Sequence, residues 1–307
     1  MEQLYSTLDR ATQTRLRDKL RGNTARPSVE WLLVADGNED TAIRYLVGIT
    51  DEERHDELER ILRTALPNTY ELQTVAWHPN EITSLASTTD LTDLYTTDTE
   101  YTPATEADRP PLVGVDYHGR AERPPDWQTP LTPLSELTND SYAPTDDTHR
   151  LPLATLVETM RDADAPVVYQ VLCRPYRDIS PDVEEYELAL ETGTASLGGK
   201  LREALFPRPV EEDRAYEPPA SDRERLDGLA ERDTHRTFQV TARAVVFPDE
   251  TGRPSTGIAE GLASALSPID GPFHRVEGTI ETDDGAGNGP GTECFAALCD
   301  RVHDPVA

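Results

Sequence analysis

The side chains best placed to do chemistry lie in two arginine-bearing segments, Arg174-Pro-Tyr-Arg177 and Asp233-Thr-His235-Arg236. The first closes a strongly apolar run and the second precedes another. Arginine at a strand end suits a phosphate or a partner carboxylate, because the guanidinium offers a rigid fork of donors. Arg174, Arg177, His235 and Arg236 are therefore the candidate contacts for a partner or an anion. Asp178 and Glu184 stand close enough in sequence to neutralise them from within the chain.

Two glycine-rich stretches invite comparison with nucleotide loops, and both fail. In Gly193-Thr-Ala-Ser-Leu-Gly198-Gly199-Lys200 the spacing is one residue too long, and Leu201 stands where Ser or Thr must reach magnesium. That stretch lies inside a helical pattern and reads as a glycine break in a helix. Gly285-Ala-Gly287-Asn-Gly289-Pro-Gly291 follows a strand pattern and precedes a helical one, but lacks the G-x-G-x-x-G spacing. Glu281, Asp283 and Asp284 just before it would repel phosphate, so it reads as a connector.

The 7 histidines are dispersed, and none meets a His or Cys at metal-ligand spacing. Cys173, Cys294 and Cys299 are too few and too scattered for a disulfide framework. Cys173 sits in an apolar run and reads as a buried cysteine. No G-x-S-x-G elbow occurs. The expectation is a chain with no catalytic residue, no cofactor and no metal.

Around these segments the hydrophobic pattern divides the chain. Residues 1–28 read as an N-terminal helical segment. Residues 29–78 read as a β-β-α-β unit. In it, strands at Trp31–Ala35 and Ala42–Ile49 form a hairpin through Asp36-Gly37-Asn38. Thr50 and Glu53 form a capping box. A helix follows with Leu58, Ile61, Leu62, Ala65 and Leu66 on one face, and the unit closes with a strand over Tyr70–Trp77. Residues 79–150 are rich in Pro, Thr and Asp and read as a linker or surface excursion. Within it Pro111–Tyr117 has strand character, and Trp127 is placed to dock on a domain.

Residues 151–282 read as an α-β-α-β-α-β unit. Its helices are Leu153–Arg161, Ser180–Phe206 with Ser180 as N-cap before Pro181, and Ser255–Leu266. Its strands are Pro166–Arg174, Thr237–Phe247 and Phe273–Ile280. The near-continuous apolar run of the first strand predicts a central position. Arg208–Asp233 reads as a polar connection, and residues 283–307 as a connector and C-terminal helix. The fold class is thus α+β, two small sheet-plus-helix units of ferredoxin-like type joined by the long linker.

Composition narrows function further. The chain carries 58 acidic against 29 basic residues, a formal charge of −29, and its only lysines are Lys19 and Lys200. Such acidity with lysine nearly absent marks a protein adapted to molar salt, where the Debye length is roughly 3 Å and self-repulsion is screened. It disfavours direct DNA binding, which needs clustered positive charge. The first 21 residues are charged throughout, without the apolar core of a signal peptide, and no run is long enough to span a bilayer. The expected location is the cytoplasm, with any membrane contact made through partners.

Several runs carry a family resemblance. They are Leu32–Gly37, Arg44–Ile49, Leu66–Leu72, Val75–Pro79, Pro166–Asp178, Tyr216–Asp222 and Glu231–Arg236. Together they resemble the N-terminal region of large haloarchaeal ATP-binding proteins of the conjugative, type IV secretion class, relatives of HerA/FtsK-like DNA-translocating motors. The resemblance implies a part in DNA transfer. It brings no catalytic residues, because the P-loop and acidic strand of that family map onto no residue before Ala307. The expected function is a non-catalytic assembly or docking module. Its partners would be the cognate ATPase domain or neighbouring subunits, with a homo-oligomer as a further expectation. The alternative is a stand-alone acidic interaction or regulatory protein of a mobile-element system.

Overall fold

The computed structural model describes residues 5, 6, 8, 27–37, 43–67, 69, 71–75, 111–133, 151–194, 216–249, 252–253, 255–283 and 289–303. Within them lie six strands: β1 (Val29–Ala35), β2 (Arg44–Ile49), β3 (Val113–Ala121), β4 (Val167–Pro175), β5 (Phe238–Val246) and β6 (His274–Thr282). Six α-helices accompany them: α1 (His55–Ala65), α2 (Pro152–Arg161), α3 (Ser180–Thr192), α4 (Ala220–Ala230), α5 (Thr256–Ser264) and α6 (Pro290–Cys299). The class is α+β.

All six strands join one sheet in the order β2-β1-β4-β5-β3-β6, with every neighbour antiparallel. The strands that the sequence divides between two units therefore share one sheet. β3, from the proline-rich stretch, is its second strand from one edge. Val113, Val115 and Tyr117 of β3 alternate inward, which is the pattern of a covered strand.

Strand alternation sorts the side chains onto two layers. One face carries Leu33, Val115, Tyr169, Ala244 and Val246, packed against Leu156 and Met160 of α2 and Ala259 and Leu262 of α5. The opposite face carries Leu32, Val34, Val168 and Val245 against Phe295 and Leu298 of α6. Strands covered on both faces need apolar residues at nearly every position, which is why β4 reads as a continuous run. At the far end of the first face, Leu58 of α1 packs with Leu8, Val29 and Ile49.

Two close approaches fix the layers. Gly37 has φ +75°, and a Cβ there would lie 2.5 Å from the Ala165 backbone. Gly278 of β6 meets α5 so closely that a Cβ would lie 2.6 Å from Ala263.

Several local expectations are corrected. Thr50 does not cap α1; its hydroxyl accepts from the Ser28 amide at 2.9 Å, tying the β1–β2 hairpin instead. Residues Glu71–Val75 carry no strand, and Tyr70 and Trp77 lie outside the described residues. Ser180 is the first residue of α3 rather than its cap, and Asp178 accepts from its amide at 2.8 Å. Residues 195–206 of the predicted long helix lie outside the described residues; α3 itself ends at Thr192, with Gly193 left-handed at φ 74°. The polar connection before β5 contains α4, whose buried positions are Asp222, Arg225 and Leu229. Among the described residues, no helix is long and apolar enough to cross a membrane.

Candidate functional site

The antiparallel pairing of β4 with β5 brings the two arginine segments together. Arg174 lies opposite Gln239 and donates to its amide oxygen at 2.8 Å. Beyond the strands the zipper continues: the Tyr176 amide donates to the Thr237 carbonyl, and the Ile179 amide to that of Thr234. Arg177, His235 and Arg236 thus sit at one end of the sheet, beside the start of α3.

The charges there are answered from within the chain. Arg177 forms an ion pair with Asp182 and lies over the Tyr176 ring, 5.7 Å from its centroid. The Asp178 carboxylate accepts from the Ser180 amide at 2.8 Å and the Ser180 hydroxyl at 2.6 Å, and its other oxygen lies 3.1 Å from His235 Nδ1. The Ser180 hydrogen bonds, then the His235 contact, hold the Asp178 carboxyl down at about 2.

Ser180, His235 and Asp178 are the residue types of a hydrolytic triad, but the geometry differs. In a triad the imidazole uses one ring nitrogen for the serine and the other for the carboxylate. Here Ser180 Oγ, at 3.2 Å, and Asp178 both face Nδ1. The serine also donates directly to the carboxylate, so no base stands ready to take its proton. The cluster caps and charges the start of α3, where a carboxylate is favoured by the helix dipole.

A second cluster lies where the sequence showed only linker and polar connection. Asp126, fully buried, accepts from the Tyr186 hydroxyl at 2.5 Å, Arg225 Nε at 2.8 Å, Arg225 Nη2 at 3.1 Å and the Arg123 amide at 3.0 Å. Arg225 also reaches Glu122 at 2.9 Å, and its guanidinium lies 3.7 Å from the Phe273 ring centroid. Burial pulls the Arg225 pKa down, but the Asp126 hydrogen bond and charge more than offset it, so Arg225 stays charged. Arg232 Nη1 donates to the Trp127 carbonyl at 3.1 Å and to that of Gln128. Trp127 itself packs against the cluster of Ile179, Val183, Tyr186 and Leu190 at and within α3 and Leu229 of α4. The docking expected of Trp127 was legible from an isolated aromatic among prolines; the ion pair beneath it was not.

The α6 face of the sheet holds a third set. Gln170 donates to Glu30 at 2.6 Å and to the Leu298 carbonyl at 3.0 Å, while Arg301 binds the other Glu30 oxygen at 2.7 Å. His303 bridges Ser28 at 2.7 Å and Thr241 at 3.4 Å. Burial, then the charges of Arg174 and Arg243, hold the His303 pKa down at about 4. Burial raises all three thiols, Cys173 to about 11, Cys299 to about 12 and Cys294 further, so none is a thiolate at neutral pH.

The second glycine-rich stretch leads into α6, and the described part shows what occupies that helix start. Asp283 Oδ1 accepts from the Thr292 amide at 3.0 Å and Oδ2 from the Thr292 hydroxyl at 2.7 Å and the Leu112 amide at 3.1 Å. The place where a nucleotide loop would seat a phosphate holds the chain's own carboxylate. Residues 284–288 and Lys200 lie outside the described residues.

Among the described residues, no group of His, Cys, Asp or Glu is arranged to hold a metal ion. Some large apolar side chains are also open to solvent. Trp31 of β1 is 37% exposed and Val240 of β5 58%, on the face that carries α1, α2 and α5. β4 lies between them, with Val171 opposite Trp31 and Cys173 opposite Val240. No protein-family model, curated protein or solved structure matches this chain.

Proposed function

We propose that the chain is a non-catalytic assembly module that docks on the ATPase domain of a conjugation-type DNA-translocating motor in a halophilic archaeon. It works in the cytoplasm and reaches the membrane only through its partners. The observation that carries the docking reading is the exposure of Trp31 and Val240, on either side of the partly buried Val171, on the sheet face that also carries α1 and the α2–α5 pair. A tryptophan at such a site supplies a large apolar contact of the kind that dominates protein interfaces. The polar clusters support the same reading, because their charges are met by neighbours within the chain and none is set to activate water or a nucleophile. The motor as partner rests on the resemblance of the sequence runs, and the salt-adapted setting on the charge of −29.

We also read β3-α2-β4-β5-α5-β6 as a ferredoxin-like unit. Its strand order, β4-β5-β3-β6, interleaves two crossovers with α2 and α5 on one face, and the β1–β2 hairpin extends it beyond β4. The α3–α4 pair is then an insertion between β4 and β5.

Capture tests the docking reading. The immobilised chain is expected to retain an ATPase domain of the conjugation-type class in about 2–3 M KCl, where surface charge is screened. The Trp31→Ser/Val240→Ser chain is expected to lose most of that retention while keeping its fold. Equal retention by both chains would remove the Trp31–Val240 face as the docking surface, and no retention by either would remove the partner.

A further inference from the structure

The α3–α4 pair has an apolar core of its own. Val183, Tyr186 and Leu190 of α3 and Leu229 of α4 form a cluster with Ile179, and it shares no residue with the clusters on the two sheet faces. Among the described residues, the apolar side chains that reach it from outside the pair are Trp127 and Tyr176. The rest of the seat is ionic. Asp126, in the 3-10 turn Pro124–Gln128 that follows β3, accepts from the Tyr186 hydroxyl and from Arg225. Arg123 pairs with Asp222 at 2.9 Å and Glu122 with Arg225 at 2.9 Å. Arg232, just past α4, donates to the Trp127 and Gln128 carbonyls. Gly228 seats α4 on Pro130, where a Cβ would lie 2.9 Å from the proline Cδ. Residues 122–130 thus form one side of the contact, and α3, α4 and Arg232 the other.

Both links from the helices to the sheet leave from one place. The chain enters α3 from the end of β4 and returns from α4 to the start of β5. There the Tyr176 amide donates to the Thr237 carbonyl at 2.8 Å, and the Ile179 amide to the Thr234 carbonyl at 3.1 Å. A unit tethered at one such point can swing without breaking the β4–β5 ladder.

We infer that α3 and α4 form a hinged lobe, latched shut on residues 122–130, that opens as one unit and uncovers Trp127. An ionic seat parts differently from an apolar one. When the lobe lifts, Asp126 and Arg225 return to water together, and their hydration offsets the lost pairing. An apolar seat has no such compensation, because parting it only exposes surface to water. While the lobe is shut the pair is buried and little screened, so the latch holds in molar salt. Units that open below the level of global unfolding often coincide with supersecondary motifs, and a helix pair with its own core is one. Opening turns the contact of Trp127 with Tyr186 and Leu229 into an exposed apolar patch beside the parted charges.

Hydrogen exchange read by mass spectrometry on the full chain in about 2 M KCl tests it. The slowest-exchanging amides of α3 and α4 are expected to exchange together, about a hundredfold or more faster than those of β4 and β5. Gly228→Leu drives a side chain against Pro130 while keeping every charge. It is expected to speed both helices by about a further tenfold or more while β4 and β5 stay protected. Helices that exchange no faster than β4 and β5, or at two unrelated rates, overturn the inference. So does a folded Gly228→Leu chain whose helices keep the wild-type rate. The wild-type measurement carries the test if that variant does not fold.

Discussion

Asp126 and Arg225 show how a single buried pair organises a region with few apolar residues. Asp126 is fully buried and Arg225 is 2% exposed, and removing Arg225 leaves the Asp126 carboxylate in the interior with only the Tyr186 hydroxyl and the Arg123 amide as hydrogen-bond donors. Breaking such a pair costs about 3–5 kcal/mol. Arg225→Ala is therefore expected to destabilise the chain by that amount, measured by denaturant unfolding at constant high salt. Replacing an exposed arginine such as Arg60 is expected to change stability by less than about 0.5 kcal/mol. His303 gives a pH signature. Its pKa falls from 6.5 to about 4 in the folded chain, so between those values the unfolded chain binds more protons. Stability is expected to drop as pH is lowered through that window, and to level off below it. In His303→Gln that component should vanish from the dependence of melting temperature on pH. A wild type with equal melting temperatures at both ends of the window would contradict the buried, neutral imidazole.

At the scale of elements, the glycine contacts set how closely layers approach. Gly37→Ala forces a left-handed φ on a residue with a Cβ and drives that Cβ into the Ala165 backbone. The expected loss is about 2 kcal/mol or more, read as a lower denaturant midpoint with unchanged slope. What the sequence made legible at this scale follows a physical rule. β4 and the hairpin were readable because strands covered on one or both faces must show apolar runs or alternation. β3 was readable within a proline-rich stretch for the same reason. α4 was not, because two of its buried positions are Asp222 and Arg225, an ionic stripe where periodicity looks for an apolar one. Thr50 and Ser180 resemble helix caps, but their hydroxyls serve Ser28 and Asp178, contacts set by tertiary packing. Among the candidate site residues, the meeting of Arg177 with His235 became visible only through the β4–β5 register. Nearness in sequence points to Asp178 and Glu184 as counterions for the arginines, whereas Arg177 pairs with Asp182 and Asp178 contacts Ser180 and His235, because the turn into α3 decides which carboxylate faces the guanidinium.

For the whole molecule, the formal charge of −29 sets the expected dependence on salt. Lowering KCl from about 2 M to about 0.1 M lengthens the screening distance to about 10 Å and exposes each copy to its own repulsion. The melting temperature is expected to fall by about 10 °C or more over that range. A melting temperature independent of salt would contradict adaptation to molar salt. The same screening would let another acidic protein approach the proposed Trp31–Val240 docking face. Under the docking proposal the chain would contribute shape and contact, and the motor chemistry. The most direct test is ATP turnover by the purified chain in about 2 M KCl, alone and with a conjugation-type ATPase domain added. The account predicts no turnover by the chain alone and a changed rate for the domain when the chain binds it. Turnover by the chain alone would contradict it.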